Sequence, residues 1–184
     1  MSYELLTPFT QQNSKNLTGN LQAFGQLFAS VDEPKQIVEA MGGTGQQSRV
    51  LREHWQCEHL VWERDLSCCE VLFGIDGLRV YSEEFPLTRR WKKHTLLVLD
   101  FNLFTLKHAY KLTPYFISGA GQVIFTDVAR GKLHLHPQAY GLAKPTWAAY
   151  CVKLKQWCNS VGLELLASTQ APRSITYFLA KRSM

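Results

Sequence analysis

The segment from Pro145 to Gly162 restricts the fold of this chain more than any other. Pro145 suits a first helical turn, and Trp147, Tyr150, Cys151, Leu154, Cys158 and Val161 recur at helical spacing as one apolar stripe before Gly162 stops the helix. A helix that is apolar on one side has to cover something apolar. L-E-L-L-A-S and S-I-T-Y-F-L-A-K-R, on either side of a loop at Pro172, read as strands and supply a sheet for it to cover.

The same period appears early in the chain. Leu17, Leu21, Phe24, Leu27 and Phe28 predict one short helix, and Ile37, Val38 and Met41 a second, with Asp32 as its N-cap and Pro34 in its first turn. Gly42 and Gly43 end that helix, so G-G-T-G-Q-Q-S reads as a helix stop and turn. A phosphate-binding loop would need a preceding strand and a following Lys-Ser or Lys-Thr. From Arg49 to Phe85 the pattern changes to strands, with Asp76-Gly77 as the turn of a hairpin.

Leu96, Leu99, Leu103, Leu106 and Tyr110 share a helical face and predict a helix over 88–111, although H-T-L-L-V-L-D-F also suits a buried strand. Two strands around Gly119–Gly121 and a third over residues 130–137, ended by Pro137, follow. The expectation is a single α+β domain over 1–184. Residues 1–48 would be an N-terminal helical segment, and 49–184 a core of six to eight antiparallel or mixed strands with two longer helices packed on it.

Hydrophobic residues make up 46% of 184, enough for one ordinary core. The start of the chain carries no readable secretory signal, and the apolar run from Leu96 to Leu106 is broken by Asp100 and Asn102. A cytoplasmic protein with no membrane partner is expected. Five cysteines (Cys57, Cys68, Cys69, Cys151 and Cys158) are odd in number and suit reduced core thiols.

The formal charge of +5 is unevenly spread: residues 53–84 carry −6 and residues 86–111 carry +5. Within the basic stretch, Arg89, Arg90, Trp91, Lys92 and Lys93 combine phosphate-pairing charge with one stacking surface, the combination that single-stranded nucleic acid requires. The competing reading is a solvated basic face, open to an acidic protein. The acidic stretch from Glu70 to Glu84 would in turn suit a basic protein partner.

In G-K-L-H-L-H-P, His134 and His136 would share one face of a strand with Lys132, opposite Leu133 and Leu135. With Tyr150-Cys151-Val152-Lys153 downstream, the pair resembles the histidine–hydrophobe–histidine endonucleases that nick single-stranded DNA. That resemblance implies a divalent metal, Mg²⁺ or Mn²⁺, on the two imidazoles, Tyr150 as nucleophile and Lys153 beside it. The plainer reading is a solvent-facing histidine pair.

H-W-Q-C-E-H offers His54, Cys57 and His59, with Cys68 or Cys69, as a weaker zinc set. R-E-H at 52–54, the Asp76-Gly77 turn and S-G-A-G-Q-V-I-F-T-D at 118–127 loosely resemble the sheet of chorismate lyases. Where that family has arginine before an acid, however, this chain has Cys69 before Glu70. No nucleophile elbow, zinc-protease helix or dinucleotide fingerprint is present. The function expected is therefore a non-enzymatic accessory protein without a cofactor, contacting nucleic acid through Arg89 to Lys93. The metal-dependent nuclease and an adaptor using the acidic hairpin are the alternatives.

Overall fold

A computed structural model describes residues 14–87, 89–101, 105–130, 133, 142 and 146–182. Seven strands form one mixed sheet. They are β1 (Gln36–Ala40), β2 (Glu58–Trp62), β3 (Leu78–Tyr81), β4 (Thr95–Leu99), β5 (Gln122–Asp127), β6 (Leu163–Gln170) and β7 (Thr176–Arg182). Five α-helices among the described residues accompany them: α1 (Ser14–Gln26), α2 (Gln46–His54), α3 (Leu66–Phe73), α4 (Ala109–Phe116) and α5 (Trp147–Ser160).

The strand order is β3-β2-β1-β4-β5-β7-β6. The first five strands in that order are mutually parallel, while β7 runs antiparallel between β5 and β6. Parallel neighbours require crossovers, so α2 lies between β1 and β2, α3 between β2 and β3, and α4 between β4 and β5. β1 lies inside the sheet, with Val38 opposite Leu60 on one side and Leu97 on the other.

Both faces of the sheet are covered. On one, Phe24 of α1, Leu27 of the 3-10 turn that follows it and Leu51 of α2 pack with Ile37, Leu96 and Val98. On the other, Leu112 and Phe116 of α4 and Tyr150, Leu154 and Cys158 of α5 pack with Val38, Leu60, Leu97 and Phe125. Between β3 and β4 the described chain forms no α-helix, and aromatic rings provide the cover. Trp62 stacks on Tyr81 with ring centroids 4.4 Å apart and meets Phe85 and Trp91 edge-on.

Seven strands in a mixed sheet fall within the expected range, and α5, β6 and β7 lie where the sequence places them. Thr146 caps α5 through its hydroxyl, which accepts from the Ala149 N–H, and Gly162 stops the helix region at φ 78°. Other expectations are corrected. Ile37 and Val38 belong to strand β1 and not to a helix, so the sheet begins before residue 48. Arg49 and Leu66–Phe73 are helical, and Asp76-Gly77 turns from α3 into a parallel strand rather than closing a hairpin.

The expected helix over 88–111 is replaced by β4, with α4 beginning only at Ala109. Burial on both faces explains the error. All five residues of β4 are buried, so its sequence is a continuous apolar run without the alternation that marks a half-exposed strand. The loose likeness to the chorismate lyase sheet ends here too, because Arg52 and His54 lie on α2.

Candidate functional site

In a parallel sheet wound in both directions from its centre, the carboxyl ends of the two strands that diverge leave a crevice open to a ligand. Here those strands are β1 and β4. The chain leaving β1 is Met41-Gly42-Gly43-Thr44-Gly45, which leads directly into α2. Gly45, the N-cap, has φ 75°, and a Cβ on it would lie 2.5 Å from Ile75 Cδ1, so the turn cannot accept a side chain. Gly43 has φ 53° and no atom within 4 Å of where its Cβ would be, so its bare backbone faces open space.

Glu63 follows β2 directly and reaches across to this loop. The Gly43 N–H donates to its Oε2 at 2.8 Å, over a separation of 20 residues. Its Oε1 accepts from the N–H groups of Arg64 and Asp65, at 2.7 and 2.8 Å. A carboxylate offers about four lone-pair directions, and the three amides leave one for a hydroxyl donor. An acid about twenty residues beyond a glycine turn is the spacing by which doubly wound folds hold a ribose.

Three more carboxylates stand at the carboxyl ends of the parallel strands. Glu39, in β1, is 2% exposed and bonds His59 Nε2 at 2.7 Å. Asp100 follows β4. Its Oδ1 accepts from the Thr126 hydroxyl at 2.9 Å and its Oδ2 from Gln47 Nε2 at 2.5 Å, yet the residue keeps part of its surface. Burial pushes the Asp100 carboxyl up to about 6, moderated by those two hydrogen bonds and reinforced by the charge of Glu39.

Asp127, at the end of β5, is fully buried. It accepts from the Tyr150 hydroxyl and from the N–H groups of Thr105 and Ala129. Burial raises this carboxyl too, against the lowering effect of its three donors. Among the described residues, none of these four acids forms an ion pair with a lysine or arginine.

Comparison with solved structures agrees with this geometry. CalO1, a methyltransferase of calicheamicin biosynthesis solved with bound SAH, is 15% identical over 90% of this chain and 55% of its own, with a TM-score of 0.59. The magnesium protoporphyrin IX methyltransferase ChlM of Synechocystis PCC 6803, also with bound SAH, is 14% identical over 90% of this chain and 84% of its own, at 0.59. The N-methyltransferase NodS of Bradyrhizobium japonicum WM9 is 10% identical over 94% and 99%, at 0.63.

The fold is a Rossmann-like methyltransferase fold. Against several neighbours the chain spans only 55–57% of their length. No family model matches the sequence, and a search of curated proteins finds no match.

These findings correct the functional expectation. The neighbours are methyltransferases, which points away from a non-enzymatic nucleic-acid binder, and the SAH bound in CalO1 and ChlM overturns the expectation of no cofactor. The side chains give the physical reason. Trp91 is only 6% exposed and has no free stacking surface. Arg89 lies over the Trp91 and Trp62 rings at 4.5 and 5.7 Å. Arg90 reaches the Ile117 carbonyl at 3.4 Å, leaving Lys92 and Lys93 exposed on the same loop.

The nuclease alternative fails at Tyr150, which is fully buried and donates to Asp127 in place of meeting a substrate. Lys153 lies half-buried on the next turn of α5, whereas His134 and His136 fall outside the described residues. The zinc set does not assemble: His54 is exposed on α2, His59 is bonded to Glu39, and Cys69 donates to the Glu63 carbonyl. Among the described residues no three metal-binding side chains converge.

Glu70 to Glu84 is not a hairpin, and its Glu84 pairs with Arg64 at 3.0 Å. No described helix is long and apolar enough to cross a membrane. Sequence reasoning missed Glu39, Gly43, Glu63 and Asp100. The usable signal was the glycine turn with an acid twenty residues beyond it.

Proposed function

We propose that the chain binds S-adenosylmethionine in the crevice beyond β1, β2 and β4, and is a methyltransferase. The observation that carries this reading is the link from the Gly43 N–H to Glu63 across the carboxyl ends of β1 and β2, at the point where the sheet winds in opposite directions. The likeness to CalO1 and ChlM, both solved with SAH, adds support.

The residues present fit such a group. The remaining lone pair of Glu63 suits a ribose hydroxyl, and the bare backbone at Gly43 allows close approach. The N-terminus of α2 presents the positive end of its dipole to a carboxylate. Half-buried Asp100, which no lysine or arginine pairs with among the described residues, favours a cation. When bound, the group supplies an electrophilic methyl on a positively charged sulfur. The protein's part is to hold, orient and shield it: Glu63 fixes the loop, Gln47 fixes Asp100, and Phe101 is buried beside the opening.

Calorimetric titration of the full chain with S-adenosylmethionine and S-adenosylhomocysteine tests the reading. Micromolar binding of both is expected. Glu63→Ala should weaken each by about 10- to 100-fold, the worth of a hydrogen bond to a charged group. Absence of binding of either compound to the wild-type protein overturns the proposal.

A further inference from the structure

Of the acids around the crevice, only Asp100 combines side-chain donors with residual exposure. Glu39 is buried against His59, Glu63 is held by three backbone amides, and Asp127 is fully buried with Tyr150, Thr105 and Ala129 donating to it. Both donors to Asp100, the Gln47 amide and the Thr126 hydroxyl, are neutral. An ionised carboxylate held by neutral groups keeps its full charge, and in a partly desolvated crevice that charge acts at longer range than in water.

We propose that Asp100 is the specificity-determining charge of the crevice: when ionised, it favours a donor bearing a positive sulfonium over the neutral thioether that transfer leaves behind. The proposal rests on the crevice binding S-adenosylmethionine, as argued above. It gives the site a means to release its product, because the two compounds differ at that sulfur by one charge and one methyl group.

The groups packed around Asp100 determine its pH dependence. Glu39 approaches from β1 and is bonded to His59 from β2. Tyr177 approaches from β7, shares Gln47 with Asp100, and is held neutral by burial. From α2 and β5 come the neutral Gln47 and Thr126. Burial thus raises the Asp100 carboxyl to about 6, and among the described residues no lysine or arginine pairs with it. Above that pH the carboxylate attracts the sulfonium, and below it the attraction is lost.

The test is calorimetry of S-adenosylmethionine and S-adenosylhomocysteine on the full chain between pH 5 and 7.5. Both share the same amino-acid end, and the difference that the sulfonium makes to its titration is read from the ratio in Asp100→Asn and subtracted. That ratio should shift toward S-adenosylmethionine by about tenfold as the pH rises. Asp100→Asn should flatten it, while Gln47→Leu, which removes a donor that lowers the Asp100 titration, should move the midpoint to higher pH.

A wild-type ratio that is constant with pH while both compounds bind overturns the proposal without any variant. A midpoint unmoved in Gln47→Leu also overturns it. Failure of both compounds to bind refutes the reading of the crevice itself, and so is a separate outcome.

Discussion

Asp100 and Asp127 close adjacent parallel strands, and burial lifts both carboxyls, yet they are set up differently. Asp127 has three donors, two of them backbone N–H groups from the segments that follow β4 and β5. Asp100 has two neutral side-chain donors and is only half-buried. A saturated buried carboxylate ties chain segments together, whereas an unsaturated one at a crevice costs stability and is available to a ligand.

The largest effect should therefore come from Asp127→Ala. The Tyr150 hydroxyl and the N–H groups of Thr105 and Ala129 would be left without that acceptor in a buried setting, at a cost of about 3–5 kcal/mol. In a chain of this length the melting temperature should fall by roughly 10 °C, read by circular dichroism at pH 7. If Asp100→Ala falls as far, the two aspartates are equivalent ties and the contrast is lost.

Asp100→Asn should change stability in the opposite direction. The folded value near 6 lies above the ordinary 3.8, so the ionised form is disfavoured by folding. The cost is absent below pH 4, grows as the pH rises through 4 to 6, and is complete above. Its upper bound is about 3 kcal/mol. The variant should thus melt higher than the wild type at pH 8 and level with it at pH 4, a sign that a structural tie could not give. A variant that is less stable at every pH breaks the contrast.

What the sequence disclosed divides in a similar way. The α5–β6–β7 portion was legible because α5 and β6 each have one wet side. β6 alternates between buried or half-buried and exposed positions along its length, and α5 carries its apolar stripe opposite polar residues. β1, β2 and β4 have no wet side, so Q-I-V-E-A and T-L-L-V-L lack a period to read, and a helix accommodates them as well as a strand does.

The candidate site was lost through that one ambiguity. With Ile37 and Val38 assigned to a helix, the glycine turn became a helix stop, and Glu63 twenty residues on had no reason to be noticed. Asp100 was visible only as an interruption of an apolar run. Trp91 misled for a related reason, since a tryptophan among arginines and lysines suggests an exposed stack, while here it fills space that no described helix covers.

The smallest effect concerns the loop itself. Met41 is a non-glycine residue in the left-handed region, at φ 64°, with its side chain 40% exposed where β1 ends. A Cβ in that conformation costs about 1–2 kcal/mol, and the return of backbone freedom to the unfolded chain offsets part of the relief. Met41→Gly should therefore raise stability by about 0.5–1 kcal/mol in urea unfolding. Neighbouring Gly45→Ala, whose Cβ would lie 2.5 Å from Ile75 and 2.9 Å from Leu72, should lower it. Opposite signs four residues apart would show that strain at Met41 is local to the mouth of the crevice, while Gly45 is required by the packing of the turn against α3. If Met41→Gly instead destabilises, the methionine side chain contributes contacts that outweigh its backbone strain, and the loop is a packed element throughout.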